Sequence, residues 1–246
     1  MTVLITGGNG FVGVNLAELL VARGTDVVTL SRGPLPPGAL EAMSRGPGRI
    51  TVAGGDVRDG RAVAALMVEH GVSRVFHAAI VTAGVDRERS DARTIVDVNV
   101  MGTQSVLEAS RRCGVGRFVY ASSGAVYGDI RYDPEPVDET ACPEPATMYG
   151  ITKYASEMLV RRYGALWGIE TACARIAAVF GPWERDTGSR DTLSPIMAAA
   201  AIALRSGHAR VGPGSPQDWI YSRDVAIAGA ALLEAQGLPH AVYNIA

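Results

Sequence analysis

Short apolar runs rich in Val and Ile recur along the chain, and segments of helical period separate them. Val3–Thr6, Asp26–Leu30, Ile50–Ala53, Arg74–His77, Arg117–Ala121 and Thr171–Ile176 read as strands. Helices are predicted over 11–23, 59–70, 92–113 and 150–166. Near-continuous apolar strands that alternate with helices predict a parallel sheet covered on both faces, joined by right-handed crossovers. The fold class is therefore α/β, a doubly wound parallel sheet of Rossmann type. The helix over 92–113 carries Ile95, Val98, Val106 and Ser110 on one stripe, with Asn99 beside it. The helix over 150–166 carries Ile151, Ala155, Met158 and Leu159 on another.

Beyond Phe180 the alternation loosens. A Gly181-Pro182-Trp183 turn and the polar run ERDTGSRDT lead to a predicted helix near 193–206 and a short strand near 209–211. A helix over about 222–236 and a strand over Ala241–Ile245 follow. Residues 1–180, with the returning segment 217–246, read as the main domain, and 181–216 as a small substrate-binding cap. The Pro-rich stretches at 34–37 and 134–145 read as loops.

Composition narrows the function classes. The chain has 246 residues, 48% of them hydrophobic, which suffices for one domain with a buried core. A net charge of −2 gives no basic face for nucleic acid or a membrane surface. Cys113, Cys142 and Cys173 are about thirty residues apart. An odd, dispersed set reads as reduced thiols of a cytoplasmic protein, and the scattered histidines give no metal-ligand spacing. The N-terminus shows no basic lead or cleavage site, so no signal peptide is read. The longest apolar run, Ile196–Leu204, is too short to span a bilayer.

Four glycines stand within seven residues in Gly7-Gly8-Asn9-Gly10-Phe11-Val12-Gly13, between the first strand and the first helix. Gly7 and Gly10 permit a tight turn and close approach to a pyrophosphate, and Gly13 permits close packing of helix on strand. Phe11 and Val12 open a helix whose free N–H groups and partial positive charge suit phosphate. The second strand ends Leu30-Ser31-Arg32 with no carboxylate for a ribose 2′-hydroxyl. Ser31 and Arg32 can instead donate to a 2′-phosphate, so NADP(H) is favoured over NAD(H). Asp56 can accept from an adenine amino group, with Val57 against the ring, and Asp59 can cap the following helix.

Ser122-Ser123-Gly124 follows the fifth strand, and Tyr149 stands four residues before Lys153 at a helix start, on the same face. Lowering the phenol pKa by three units takes about 4 kcal/mol, of which a cation one turn away supplies part. Tyr149 is then the acid/base for an alcohol–carbonyl pair, and Ser123 holds the same oxygen. Tyr127 reads equally well as packing beneath the loop.

These stretches resemble the extended short-chain dehydrogenases/reductases, the NAD-dependent epimerase/dehydratase group. The resemblance is carried by TGGNGFVG (6–13), GDVRD (55–59), HAA (77–79), NVMGT (99–103), SSGAVYG (122–128), YGITK (149–153), RIAAVFGP (175–182) and QDWIYSRDVA (217–226). It implies a catalytic trio of Ser123, Tyr149 and Lys153, with Lys153 also bonding the nicotinamide ribose. It implies that His77, Ala78 and Ala79 line the cofactor and that Asn99 supports the site. It implies a homodimer through helices 92–113 and 150–166. Ser123, Gly124, Arg190 and Gln217 are candidate substrate-binding residues.

Two departures stand out. Members acting on nucleotide sugars carry Arg where this chain has Gln217, ahead of Asp218 and Trp219; Arg185, Arg190, Arg210 or Arg223 could replace it. Members also continue past the strand that ends at Ala246, so the cap is expected to be incomplete at the C-terminus. The expected activity is hydride transfer on a sugar-like substrate. The alternatives are a simple NADP-dependent reductase or dehydrogenase of a non-nucleotide carbonyl compound, and a non-catalytic dinucleotide sensor.

Overall fold

A computed structural model describes residues 1–132, 135–185, 187–188, 193–210, 212 and 218–246. Its strands are β1 (Thr2–Thr6), β2 (Asp26–Ser31), β3 (Ile50–Gly54), β4 (Val72–His77), β5 (Arg117–Ser123), β6 (Glu170–Ile176), β7 (Ala178–Phe180), β8 (Trp219–Tyr221) and β9 (Val242–Ile245). Its helices are α1 (Phe11–Ala22), α2 (Ala39–Ser44), α3 (Gly60–Glu69), α4 (Val85–Val96), α5 (Gly102–Arg112), α6 (Met148–Trp167), α7 (Pro195–Ser206) and α8 (Ser222–Glu234). Seven strands lie in the order β3-β2-β1-β4-β5-β6-β9, with every neighbouring pair parallel.

Alternate residues of each central strand enter opposite layers. Val3, Ile5, Val119, Ala121, Ala172 and Ala174 pack with Val14, Leu16, Leu20 and Leu233 of α1 and α8. Leu4, Phe118, Tyr120 and Cys173 pack on the other face with Val63, Met67, Val106, Leu107 and Val160 of α3, α5 and α6. Both faces exclude water, which is why these strands read as unbroken apolar runs.

Several elements depart from the sequence expectation. The helix expected over 92–113 is broken: the chain kinks at Asp91 (φ −148°, ψ 42°), and a π turn over Asp97–Met101 separates α4 from α5. No strand forms at 209–210, and Val211 lies outside the described residues. The short helix α2 and the parallel pair β7–β8 add to the expected elements. Three-residue strands carry too little alternation to show a period. No helix among the described residues is long and apolar enough to cross a membrane.

Helix α6 packs Leu159 of its expected apolar stripe against the core but turns Ile151 and Met158 outward. Ile151 and Met158 are about half exposed, whereas Thr152, Lys153, Ser156 and Glu157 are buried. The Glu157 carboxylate receives Arg175 of β6 through Nε at 3.0 Å and Nη2 at 2.8 Å, and the Ser122 hydroxyl of β5 at 2.5 Å. Arg175 also lies 4.7 Å above the Tyr127 ring. Removing one partner of a buried pair strands the other charge. Glu157→Ala is expected to cost about 3–5 kcal/mol in urea unfolding; a loss under about 1 kcal/mol would show that the pair does not hold α6 to the sheet.

Candidate active site

The strand order reverses at β1, so the crossovers to β2 and β4 leave on opposite sides and open a crevice at the carboxyl ends of the strands. A cleft of about 310 Å³ occupies it. Its wall includes Gly7, Gly10, Phe11, Val12 and Gly13, then Ser31, Arg32, Asp56 and Val57, then Ala78 and Ala79, and finally Ser123, Tyr149 and Lys153.

Gly7 is in the left-handed region (φ +67°), and a Cβ there would stand 2.7 Å from the Ala78 and Ala79 backbone. The loop can turn and lie against the end of β4 only without a side chain. A Cβ on Gly13 would stand 2.5 Å from the Gly7 carbonyl oxygen, so Gly13 seats α1 on this loop rather than on a strand. Gly10 is the N-cap of α1. No side chain caps that end, and no acidic residue stands in its first turn. Beyond its own turn, a Cβ on Gly10 would meet only the Gly7 oxygen, at 3.1 Å. An uncapped helix end facing a cleft is a cradle for phosphate, so these residues fit a dinucleotide.

At the far end of β2, the Ser31 hydroxyl accepts from Asn9 N–H at 3.0 Å, which leaves its own proton able to turn into the cleft. Asp56 is held by Arg58 through Nε at 3.0 Å and Nη2 at 2.7 Å. Those bonds, with further attraction from Arg58 and Arg32, keep its carboxyl below the usual range. Asp59 caps α3 by accepting from Arg61 and Ala62 N–H.

At the chemical end, Thr147 caps α6 by accepting from Gly150 N–H at 3.1 Å. A Cβ on Gly150 would lie 2.6 Å from the Ala125 oxygen, so glycine allows the first turn of α6, with Tyr149, to approach the segment that follows Ser123. The Lys153 ammonium donates to the Ala121 carbonyl and sits 4.9 Å from the Tyr120 ring centroid and 5.7 Å from that of Tyr149. Burial lowers its pKa to about 7, against a smaller opposing pull from Glu157.

His77 and Asn99 are fully buried and stand outside the cleft wall. The Thr103 hydroxyl donates to the Asn99 carbonyl at 2.6 Å, so it must accept from His77 Nε2 at 2.9 Å, and His77 Nδ1 then accepts from Thr6 at 2.6 Å. Burial, assisted by the Lys153 charge, depresses the His77 pKa to about 3, keeping it neutral. The Asn99 amide pairs with both backbone groups of Val81 and donates to the Thr152 hydroxyl at 3.0 Å, which donates to the Tyr149 carbonyl at 3.0 Å. Through this relay, the π turn that carries Asn99 fixes the first turn of α6. Tyr127 packs beneath the loop, its hydroxyl between Asn244 Oδ1 (2.9 Å) and Asp138 O (3.1 Å). Gly124 follows Ser123 outside the wall; Arg190 and Gln217 lie outside the described residues. The buried Glu157–Arg175 pair beneath α6 is passed over by sequence reasoning, and Arg185, weighed there only as a replacement for the arginine absent at 217, lines the cleft.

Lys153 carries a stability signature. Its folded pKa is below the unfolded value of 10.5, so between about pH 7 and 10.5 the unfolded chain holds the extra proton and stability rises with pH. Wild type should gain stability over that window relative to Lys153→Met, with a slope difference of up to about 1.4 kcal/mol per pH unit. Urea titrations at about pH 7, 8.5 and 10 measure it; parallel curves would show that the amine is not desolvated.

The profile of the NAD dependent epimerase/dehydratase family matches residues 3–246. The chain is 35% identical over 188 residues to sterol demethylase protein B of Methylococcus capsulatus, covering 75% of this chain and 53% of that protein. It is 30% identical over 253 residues to dTDP-glucose 4,6-dehydratase of Streptomyces antibioticus, covering 100% of this chain and 72% of that one. It superposes on the Thermus thermophilus UDP-glucose 4-epimerase in complex with NAD with a TM-score of 0.81 at 30% identity, over 100% of this chain and 76% of the other. The chain thus spans between half and three quarters of the length of these relatives. A profile match over nearly every residue, joined to a shared fold, places this chain in the NAD-dependent epimerase/dehydratase family.

Proposed function

We propose that this protein moves a hydride between a nicotinamide dinucleotide and a hydroxyl- or carbonyl-bearing carbon of a sugar nucleotide, with Tyr149 as acid/base. One observation carries the reading: Ser123, Tyr149 and Lys153 share a cleft with the uncapped glycine loop at its other end. The names of the relatives supply the substrate class, since a dTDP-glucose 4,6-dehydratase and a UDP-glucose 4-epimerase are among them. The glycine loop before α1 with Ser31 and Arg32 would hold the dinucleotide, whose nicotinamide would supply hydride transfer at the substrate carbon, reversible in an epimerase or dehydratase. Tyr149 exchanges the proton with the substrate oxygen, and Ser123 donates a hydrogen bond to that oxygen. The Lys153 ammonium stabilises the phenolate, and the phenolate in turn favours the charged amine. The segment 181–216 is the substrate cap.

A second reading rests on Gln217, which cannot grip a diphosphate as an arginine does. With the sterol demethylase relative, it supports a non-nucleotide carbonyl substrate. The cofactor is a nicotinamide dinucleotide on either reading. The relative in complex with NAD supports NAD, while Ser31 and Arg32 at the end of β2 support acceptance of a 2′-phosphate.

We further propose a homodimer in which α4, α5 and α6 of two copies pack together. Val96, Met101, Ile151 and Met158 are exposed there although apolar. Met158→Glu should convert a dimer into a monomer in light scattering; a wild type that is already monomeric excludes this interface.

Tyr149→Phe should lower turnover of UDP-glucose or dTDP-glucose about 10²–10⁴-fold while dinucleotide affinity stays nearly unchanged. If wild type turns over neither sugar nucleotide but reduces a simple carbonyl compound, the second reading stands. A sensor would keep its partner response in the Phe variant. Chromatography of nucleotide released on denaturation reports the cofactor. Stoichiometric NAD supports a recycling epimerase or dehydratase, whereas no bound nucleotide with tighter NADPH than NADH binding supports the Arg32 argument.

A further inference from the structure

Arg185 is held in the wall of the cleft by three anchors on its neighbours. Asn15 Nδ2 of α1 donates to the Pro182 carbonyl at 2.8 Å, and Trp183 Nε1 donates to Glu18 Oε2 of α1 at 3.1 Å. Glu184 accepts from Ser194 N–H at 2.6 Å and from its hydroxyl at 2.7 Å, at the cap of α7. To reach these partners the chain places Trp183 at φ +69°, a positive value at a residue other than glycine. Such a conformation is unfavourable and persists only where the surroundings impose it.

The guanidinium that results touches only neutral acceptors among the described residues. Its Nη2 donates to the Pro34 carbonyl at 3.0 Å and to the Asn9 carbonyl at 3.4 Å. Its Nε is buried and has no partner among the described residues. Asn9 directly precedes the N-cap of α1, so a full positive charge stands beside the positive end of a helix dipole. Both acceptors are neutral carbonyls, so no carboxylate among the described residues cancels its charge, and an anion in the cleft would gain a charge-assisted bond from it. Arg32 and Arg185 line the same cleft, and Asn9 Nδ2 ties the two walls through the Gly33 carbonyl at 2.8 Å.

We propose that Arg185 is a cofactor-binding residue that grips a phosphate of the dinucleotide, working with the N-terminus of α1. The role is distinct from replacing the arginine absent at position 217, and it rests on the reading of this cleft as a dinucleotide site. The shared chemistry is phosphate recognition, and two groups supply it: the pyrophosphate common to NAD and NADP, or the 2′-phosphate of NADP.

Calorimetric titration of the full chain with NAD, NADP and UDP separates the cases. Arg185→Gln should weaken dinucleotide binding about ten- to hundredfold, with a shallower salt dependence than wild type. Exposed Arg45→Gln, a control paired with Glu41 on α2, should change neither. Equal weakening of NAD and NADP assigns the pyrophosphate, and weakening of NADP alone assigns the 2′-phosphate. Unchanged dinucleotide affinity in a folded Arg185→Gln protein overturns the proposal, as does weakening confined to UDP. Arg185→Lys keeps the charge but loses the fork; partial recovery of affinity in it supports an electrostatic role if the Gln variant is poorly folded. A wild type that binds neither dinucleotide overturns the cofactor reading itself, and this proposal with it.

Discussion

Over its first ten residues α6 turns a largely polar face to the sheet, and the geometry of the site depends on satisfying it. Thr152, Lys153, Ser156 and Glu157 are all removed from water. Each would be costly there without a partner. Lys153 has the Ala121 carbonyl, Ser156 the Asn99 carbonyl at 2.9 Å, and Glu157 both Arg175 and Ser122. Hydrogen bonds are directional, so they fix the rotation and the height of the helix on the sheet more narrowly than apolar contact could. Tyr149 and Lys153 are presented to the cleft from that fixed helix, opposite Ser123 on the strand to which it is bonded.

The same logic extends to the other half of the cleft. The relay from Thr6 through His77, Thr103 and Asn99 joins the strand beneath the glycine loop to the helix with Tyr149. A neutral histidine is the natural middle member, because it donates at one nitrogen and accepts at the other. The π turn at Asn99 offers its carbonyl to two hydroxyls at once, those of Thr103 and Ser156. Such a local irregularity in a helix is common at functional sites. For the proposed hydride transfer, a rigid connection of the two halves would hold the reacting atoms within a narrow range of approach.

Lys153 shows how burial and charge are balanced. Desolvation lowers the pKa of its amine to about 7, so burial disfavours the ammonium. Glu157, one turn further along, opposes that shift. The carboxylate is itself committed to Arg175 and Ser122, so it tempers the field at Lys153 without contacting the cleft. At the opposite end Asp56 is paired with Arg58, and Arg32, which shares the wall, attracts the same carboxylate.

The main alternation of strands and helices, the glycine turn, and the spacing of the serine, tyrosine and lysine were legible in the sequence, whereas α2, the β7–β8 pair and the break between α4 and α5 were not. Each legible feature depends on local pattern: a period of two or 3.6, a turn that needs glycine, or a spacing of four on one helix. The apolar stripe of α6 was legible too, but periodicity cannot say what a stripe faces, and here Ile151 and Met158 face outward while the polar side packs on the sheet. Glu157 with Arg175 and His77 with Thr6 are 18 and 71 residues apart, and Asn99 meets Thr152 across 53. Arg185 reaches Pro34 across 151. Such pairings carry no local periodic signature, because they exist only once the crossovers have brought distant segments to one sheet edge. The sequence determined the main elements and the chemical groups; the tertiary structure alone decided which buried charges meet, since that depends on distance in space and on the exclusion of water.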